Sequence, residues 1–184
     1  AFGDLGVLFI LIVILVYIVM ATQFESLLFP FIIMFTIPFA FTGVFLALWM
    51  TSTPLSLIAL IGAIMLVGIV TKNGIVMVDY MNLLVERGSG VFDAVIAGGK
   101  SRLRPVLMTS FTTILGMLPL AIGTGAGSET WQPMGIAVIG GLTCSTLLTL
   151  FIIPALYSVF VNRSQRKEKE KLARLSAEHQ ASVH

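Results

Sequence analysis

The most reactive position in this chain is a lysine where hydropathy says no charge should stand. Lys72 lies inside the apolar run Met65-Leu-Val-Gly-Ile-Val-Thr-Lys-Asn-Gly-Ile-Val-Met-Val-Asp79, while the other basic residues gather at 87–104 and 163–174. An ammonium in the middle of such a run costs several kcal/mol, roughly 2.5–3.5 on insertion scales, unless it faces a protein interior and finds a partner. Low dielectric disfavours the charged form of a lysine, and a nearby carboxylate restores it. A lysine so placed can alternate between a paired and a released state as protons come and go, which is the chemistry of a proton-coupled switch. The structural alternatives are a static ion pair or a side chain that snorkels to the interface. At about 12–18 Å from the end of its run, counted at 1.5 Å per residue, Lys72 is too deep to snorkel comfortably.

Its partner is missing from the sequence. Asp79 is on the same helical face but about 10 Å along the axis and close to the end of the run. No other apolar stretch contains Asp or Glu. A carboxylate for Lys72 must therefore be supplied from outside these residues. Thr109, Thr112, Thr113 and Gly116 follow the i, i+3, i+4, i+7 pattern of one helical face. Hydroxyls there are placed to relay protons or to hydrogen-bond a lysine. The alternative is that they bond their own backbone or ease helix packing.

Other chemistries find no support. His179 and His184 are too isolated for a metal site, and the single cysteine, Cys144, excludes an internal disulfide. There is no phosphate-binding glycine loop, no nucleophile–base set, and no basic–aromatic patch of the kind nucleic acid needs. No cofactor is expected, and the chain does not read as an enzyme.

The elements that must position Lys72 are membrane spans. Hydrophobic residues make up 57% of the 184 and charged residues 11%, against about 25% charged in soluble domains. Five stretches are long enough to cross a bilayer, which takes about 20 apolar residues. They run approximately 5–21, 27–50, 55–84, 103–122 and 135–161. Lipid cannot satisfy free backbone groups, so all five are predicted to be helices and the fold class is an all-α membrane protein. Pro30, Pro38, Pro119 and Pro154 predict kinks or helix entries. Gly62, Gly68, Gly74, Gly135, Gly140 and Gly141 suit close helix contacts, and Cys144 reads as a small buried residue.

The basic residues orient the bundle. Arg87, Lys100, Arg102 and Arg104 fall between the third and fourth spans, and six more follow the fifth, whereas the loops on the other side have none. The positive-inside rule makes the connector and tail cytoplasmic and the N-terminus external. Between spans three and four, Val91, Phe92, Val95 and Ile96 form an apolar stripe opposite Asp93. Gly88-Ser-Gly90 precedes it and Gly98-Gly99 follows, predicting a short amphipathic helix on the cytoplasmic membrane surface. The domain division is 1–162 for the transmembrane part and 163–184 for a charged cytoplasmic tail, a solvated helix or a disordered end. A chain opening Ala1-Phe-Gly-Asp without Met is expected to be the C-terminal piece of something longer.

With Lys72-Asn73 in the third span, Arg102-Leu-Arg-Pro-Val-Leu-Met-Thr-Ser110 opening the fourth, Phe24-Glu-Ser before the second, and Gly116-Met-Leu-Pro-Leu together with Gly123-Thr-Gly-Ala-Gly127 closing the fourth, the chain resembles the resistance–nodulation–division (RND) efflux transporters. It looks closest to the hydrophobe/amphiphile multidrug branch. The resemblance covers residues 1 to about 161 and implies the last five of twelve helices in a proton-driven antiporter coupled to the proton-motive force. It also implies that Lys72 exchanges ion pairs with two adjacent aspartates on the fourth helix of the N-terminal half. Arg102, Thr109 and Asn73 are implied members of the same relay. A homotrimer in the inner cell membrane is the family expectation, with a periplasmic adaptor and an outer-membrane channel in a two-membrane cell. The aspartate pair and the large porter loops where the family binds drugs are absent here, so substrate range is not legible. The competing readings are an inactive truncated product, a non-transporting membrane scaffold, or a small cation channel, for which Glu25 and Glu129 are poor candidates.

Overall fold

A computed structural model describes residues 2–182; Ala1 and the end of the tail, including His184, lie outside the described residues. Six helices follow in order: α1 (Phe2–Phe24), α2 (Leu28–Met34), α3 (Ile37–Met50), α4 (Leu57–Glu86), α5 (Val91–Ile122) and α6 (Ser128–Ser182). Among the described residues there is no strand. Five helical segments are long and apolar enough to cross a membrane, with α2 and α3 together making the second. The chain is an all-α, multi-pass membrane protein.

The split second span follows from Pro38. Proline has no N–H to return to the preceding turn and restricts the residue before it. The helix breaks at Phe35 and Thr36, and the buried Thr36 hydroxyl donates to the Ile33 carbonyl at 2.6 Å, beside the Thr36 N–H that reaches the same oxygen at 3.1 Å. Pro119 and Pro154, by contrast, sit within helices that continue through them. Ser56 starts α4 as a side-chain cap, accepting from the backbone N–H of Ala59. The turn from α5 to α6 uses Gly123 at φ +75°, and Gln132 Nε2 donates to the Ala121 carbonyl at 3.0 Å.

One helix forms the axis of the bundle. α6 packs against α3, α4 and α5, burying a row from Ala137 and Leu142 to Ile153 and Tyr157. Its approach to α3 is backbone-close. A Cβ on Gly43 would collide with Cys144 and stand 2.7 Å from the Gly140 carbonyl, and one on Gly140 would collide with Ala47. Gly43 was not among the expected packing glycines, whereas Gly68, which was, has nothing near it. Cys144 is half-buried at this contact. At the other extreme, α1 buries only Met20 and leaves the rest of its length uncovered or partly covered.

One expectation changes, and one open alternative closes, at the ends of the long helices. The amphipathic stretch from Val91 is helical, but it runs into the span as one continuous α5; the Gly98-Gly99 pair does not end it. Gly98 is there for packing, since a Cβ would lie 2.6 Å from Met81 Cγ on α4. Val91 is buried by the same approach, while Phe92 and Ile96 stay exposed. The charged tail is likewise a continuation of α6, because no Gly or Pro interrupts the run after Val161. The Arg166–Glu170 pair at 3.4 Å bridges successive turns there, and at such exposure adds little.

The α3–α6 contact has a direct test. Gly43→Val is expected to destabilise the bundle by about 3 kcal/mol or more, because the obstructing atoms include backbone that cannot move aside. Gly68→Ala in the same chain should be neutral or slightly stabilising, with thermal unfolding in detergent as the readout for both.

Candidate functional site

α4 has two faces. Ala63, Leu66, Val70, Gly74, Met77 and Met81 fill the inside of the bundle. Ile61, Met65, Gly68, Lys72, Asp79 and Leu83 form an exposed stripe at helical spacing on the outside. Lys72 therefore projects from the uncovered side of the helix, and no acid of the described chain lies within ion-pair distance of it. Asn73, one residue on, turns inward and is 8% exposed. The two neighbours in the motif serve opposite sides of α4.

The other expected site residues are distributed as follows. Thr109 is exposed on α5, and its hydroxyl donates to the Pro105 carbonyl at 3.0 Å. Thr112 and Thr113 bond their own helix in the same way, to Met108 and Thr109. Each hydroxyl has thus committed its proton locally and keeps acceptor capacity. Arg102 is half-buried and lays its guanidinium over the ring of Tyr80, with 4.6 Å between Cζ and the ring centroid. Its Nε is buried without a hydrogen-bond partner. Arg102 thus engages α4 eight residues beyond Lys72, about 12 Å along the axis. It does not reach the lysine directly.

Several polar contacts were not visible in the sequence. Ser110 and Thr146 pair their hydroxyls at 2.8 Å between α5 and α6, and Tyr157 donates to Asn82 Oδ1 at 2.6 Å between α6 and α4. Thr71, beside Lys72, is buried with an unpartnered hydroxyl. With Ser145 and Thr149, Thr71, Ser110 and Thr146 place small hydroxyl groups inside the bundle. The only sequence signal for Tyr80 was an aromatic one residue from Asp79. Its pairing with Arg102 depends on the register between two helices, which no local pattern reveals.

A five-span bundle with a lysine on an uncovered stripe and hydroxyls along a second uncovered helix is an integral membrane protein whose polar chemistry faces outward from the bundle. A family model described as the AcrB/AcrD/AcrF family matches residues 1–161, and the chain belongs to that family. It is 44% identical over 156 residues to multidrug resistance protein MdtC of Erwinia tasmaniensis, covering 84% of this chain and 15% of the relative. The same protein of Yersinia enterocolitica is 44% identical over 161 residues, covering 87% and 16%. Among solved structures, a heavy metal efflux pump superposes with a TM-score of 0.76 at 32% identity, over 85% of this chain and 15% of that one. The chain thus spans about one-sixth of the length of the relatives it matches.

The Arg102–Tyr80 contact predicts an asymmetric response to substitution. Tyr80→Leu should lower bundle stability by about 1–2 kcal/mol, the worth of a partly desolvated cation–π contact. Tyr80→Phe, which keeps the ring, should cost less than half of that by chemical or thermal unfolding in detergent.

Proposed function

We propose that this chain is the C-terminal membrane segment of a proton-driven multidrug efflux antiporter of the RND superfamily, hydrophobe/amphiphile branch, and that Lys72 supplies the basic side of its proton relay. The observation that carries this reading is the exposed stripe of α4. An ammonium facing lipid at that depth costs roughly 2.5–3.5 kcal/mol, so in the whole protein the stripe faces another part of the transporter. The stripe calls for a carboxylate from outside these residues, and the resemblance to the RND transporters implies an N-terminal half that bears a pair of aspartates on a transmembrane helix.

The switch follows from electrostatics in low dielectric. With the carboxylates ionised, Lys72 is held in an ion pair. Protonating a carboxylate removes the attraction and leaves the ammonium unmatched, so the lysine must reorient or α4 must shift. Asn73, facing inward, links such a shift to the packed side of the helix. Thr109 offers an acceptor on the uncovered face of α5, and Arg102 a guanidinium with an unfilled donor near the end of the span. The coupling uses the proton-motive force without a cofactor.

Membership of the AcrB/AcrD/AcrF family and the higher identity to multidrug resistance proteins than to the heavy metal pump support drugs as the cargo class. The basic connector and tail support a cytoplasmic C-terminus in the inner membrane. A homotrimer with an adaptor and an outer-membrane channel is the corresponding assembly.

In the full-length transporter, Lys72→Met is expected to reduce drug resistance to that of pump-deleted cells and to abolish drug-coupled proton flux. Membrane insertion and expression should be unchanged, because Lys72 makes no packing contact inside this bundle. Normal efflux by the variant would sink the relay assignment.

A further inference from the structure

The uncovered surface of α5 divides lengthwise. At about 100° per residue, Pro105, Thr109, Thr112, Gly116 and Pro119 share one side, small or hydroxyl-bearing residues of the kind that let another helix approach. Turned away from them, Phe111, Leu115, Leu118 and Ile122 form a bulky apolar strip, all exposed. Lys100 and Arg104, one helical turn apart and both exposed, stand at the head of that strip where α5 enters its apolar span. A groove lined by Lys100, Ser101, Leu103, Arg104, Leu107 and Met108 joins the two.

The two cations are unmatched. No acid of the described chain lies within ion-pair distance of either. Asp93 is seven residues back in the first turn of α5, about 10 Å along the axis. Arg102, between them in sequence, is turned to Tyr80 instead. Two of the three basic residues are thus aimed away from the bundle, over an apolar surface. From Leu107 to Leu118 the strip extends about 16 Å, the depth of one leaflet of a hydrocarbon core about 30 Å thick.

We propose that Lys100, Ser101 and Arg104 bind the headgroup phosphate of an anionic phospholipid in the leaflet at the α4–α5 turn, with an acyl chain lying along Leu107, Met108 and Phe111. An ammonium and a guanidinium one turn apart bracket a phosphate from two sides, and the guanidinium fork suits its oxygens. The serine hydroxyl adds a donor. The bulky strip suits an acyl chain better than the close approach of a second helix, which the opposite side of α5 invites. This site rests on the membrane fold and is independent of the relay.

The test uses the full-length transporter in phosphatidylcholine nanodiscs doped with phosphatidylglycerol, with bound lipid counted by native mass spectrometry. K100Q/R104Q is expected to weaken phosphatidylglycerol retention roughly thirtyfold, about fivefold for each basic residue at an anionic surface. Phosphatidylcholine retention should not change, and K100R/R104K should retain phosphatidylglycerol. Inorganic phosphate in large excess should leave the lipid in place. Undiminished retention by a folded K100Q/R104Q protein overturns the site. So does an equal loss in K167Q/K171Q, which would make the effect one of bulk charge, or displacement by inorganic phosphate, which would make it a free-anion site.

Discussion

The close backbone contact between α3 and α6 is the constraint on which the other packing relations depend. Glycine at 43, 140 and 141 lets two spans approach without side chains between them. In lipid there is no hydrophobic driving force between helices, so association relies on such van der Waals contact and on interhelical hydrogen bonds. Once α6 is fixed against α3, its remaining sides receive α4 and α5. The hydroxyl pair of Ser110 and Thr146 and the Tyr157–Asn82 bond then pin the register of those helices.

That packing decides what is left outside. The inner face of α4 is filled with Ala63, Leu66, Val70 and Met77, so the helix cannot rotate to bring Lys72 inward without removing them from the core. The lysine is on the outer stripe because the inner one is full. The same logic leaves the hydroxyl side of α5 uncovered. The Lys72 stripe is left without a matching acid among the described residues, and the chain matches only about 15% of the length of each relative.

Much of this was legible from composition and spacing. The five spans, their helical nature and the isolation of Lys72 follow from apolar run length and from the absence of acids within the runs. Breakers were read less well. Pro38 splits a span, yet Pro119 and Pro154 do not, and Gly98-Gly99 was expected to end a helix that Gly98 instead seats against Met81. A glycine pair has the same local propensity in either role, and only the neighbouring helix distinguishes them. The relay candidates show the same limit. Lys72, Asn73, Arg102 and Thr109 could be picked out one by one, but not the direction each faces or the ring on which Arg102 lies.

The sequence by itself determined that this is a multi-span helical membrane protein holding one deep cation without an internal carboxylate, because both facts depend only on which residues occupy long apolar runs. Tertiary structure decided that Lys72 and Asn73 serve opposite faces, that Arg102 turns to Tyr80 while Lys100 and Arg104 turn away, and that α6 is the axis. These depend on helix rotation and register, which are set by distant glycine contacts and interhelical hydrogen bonds rather than by local pattern.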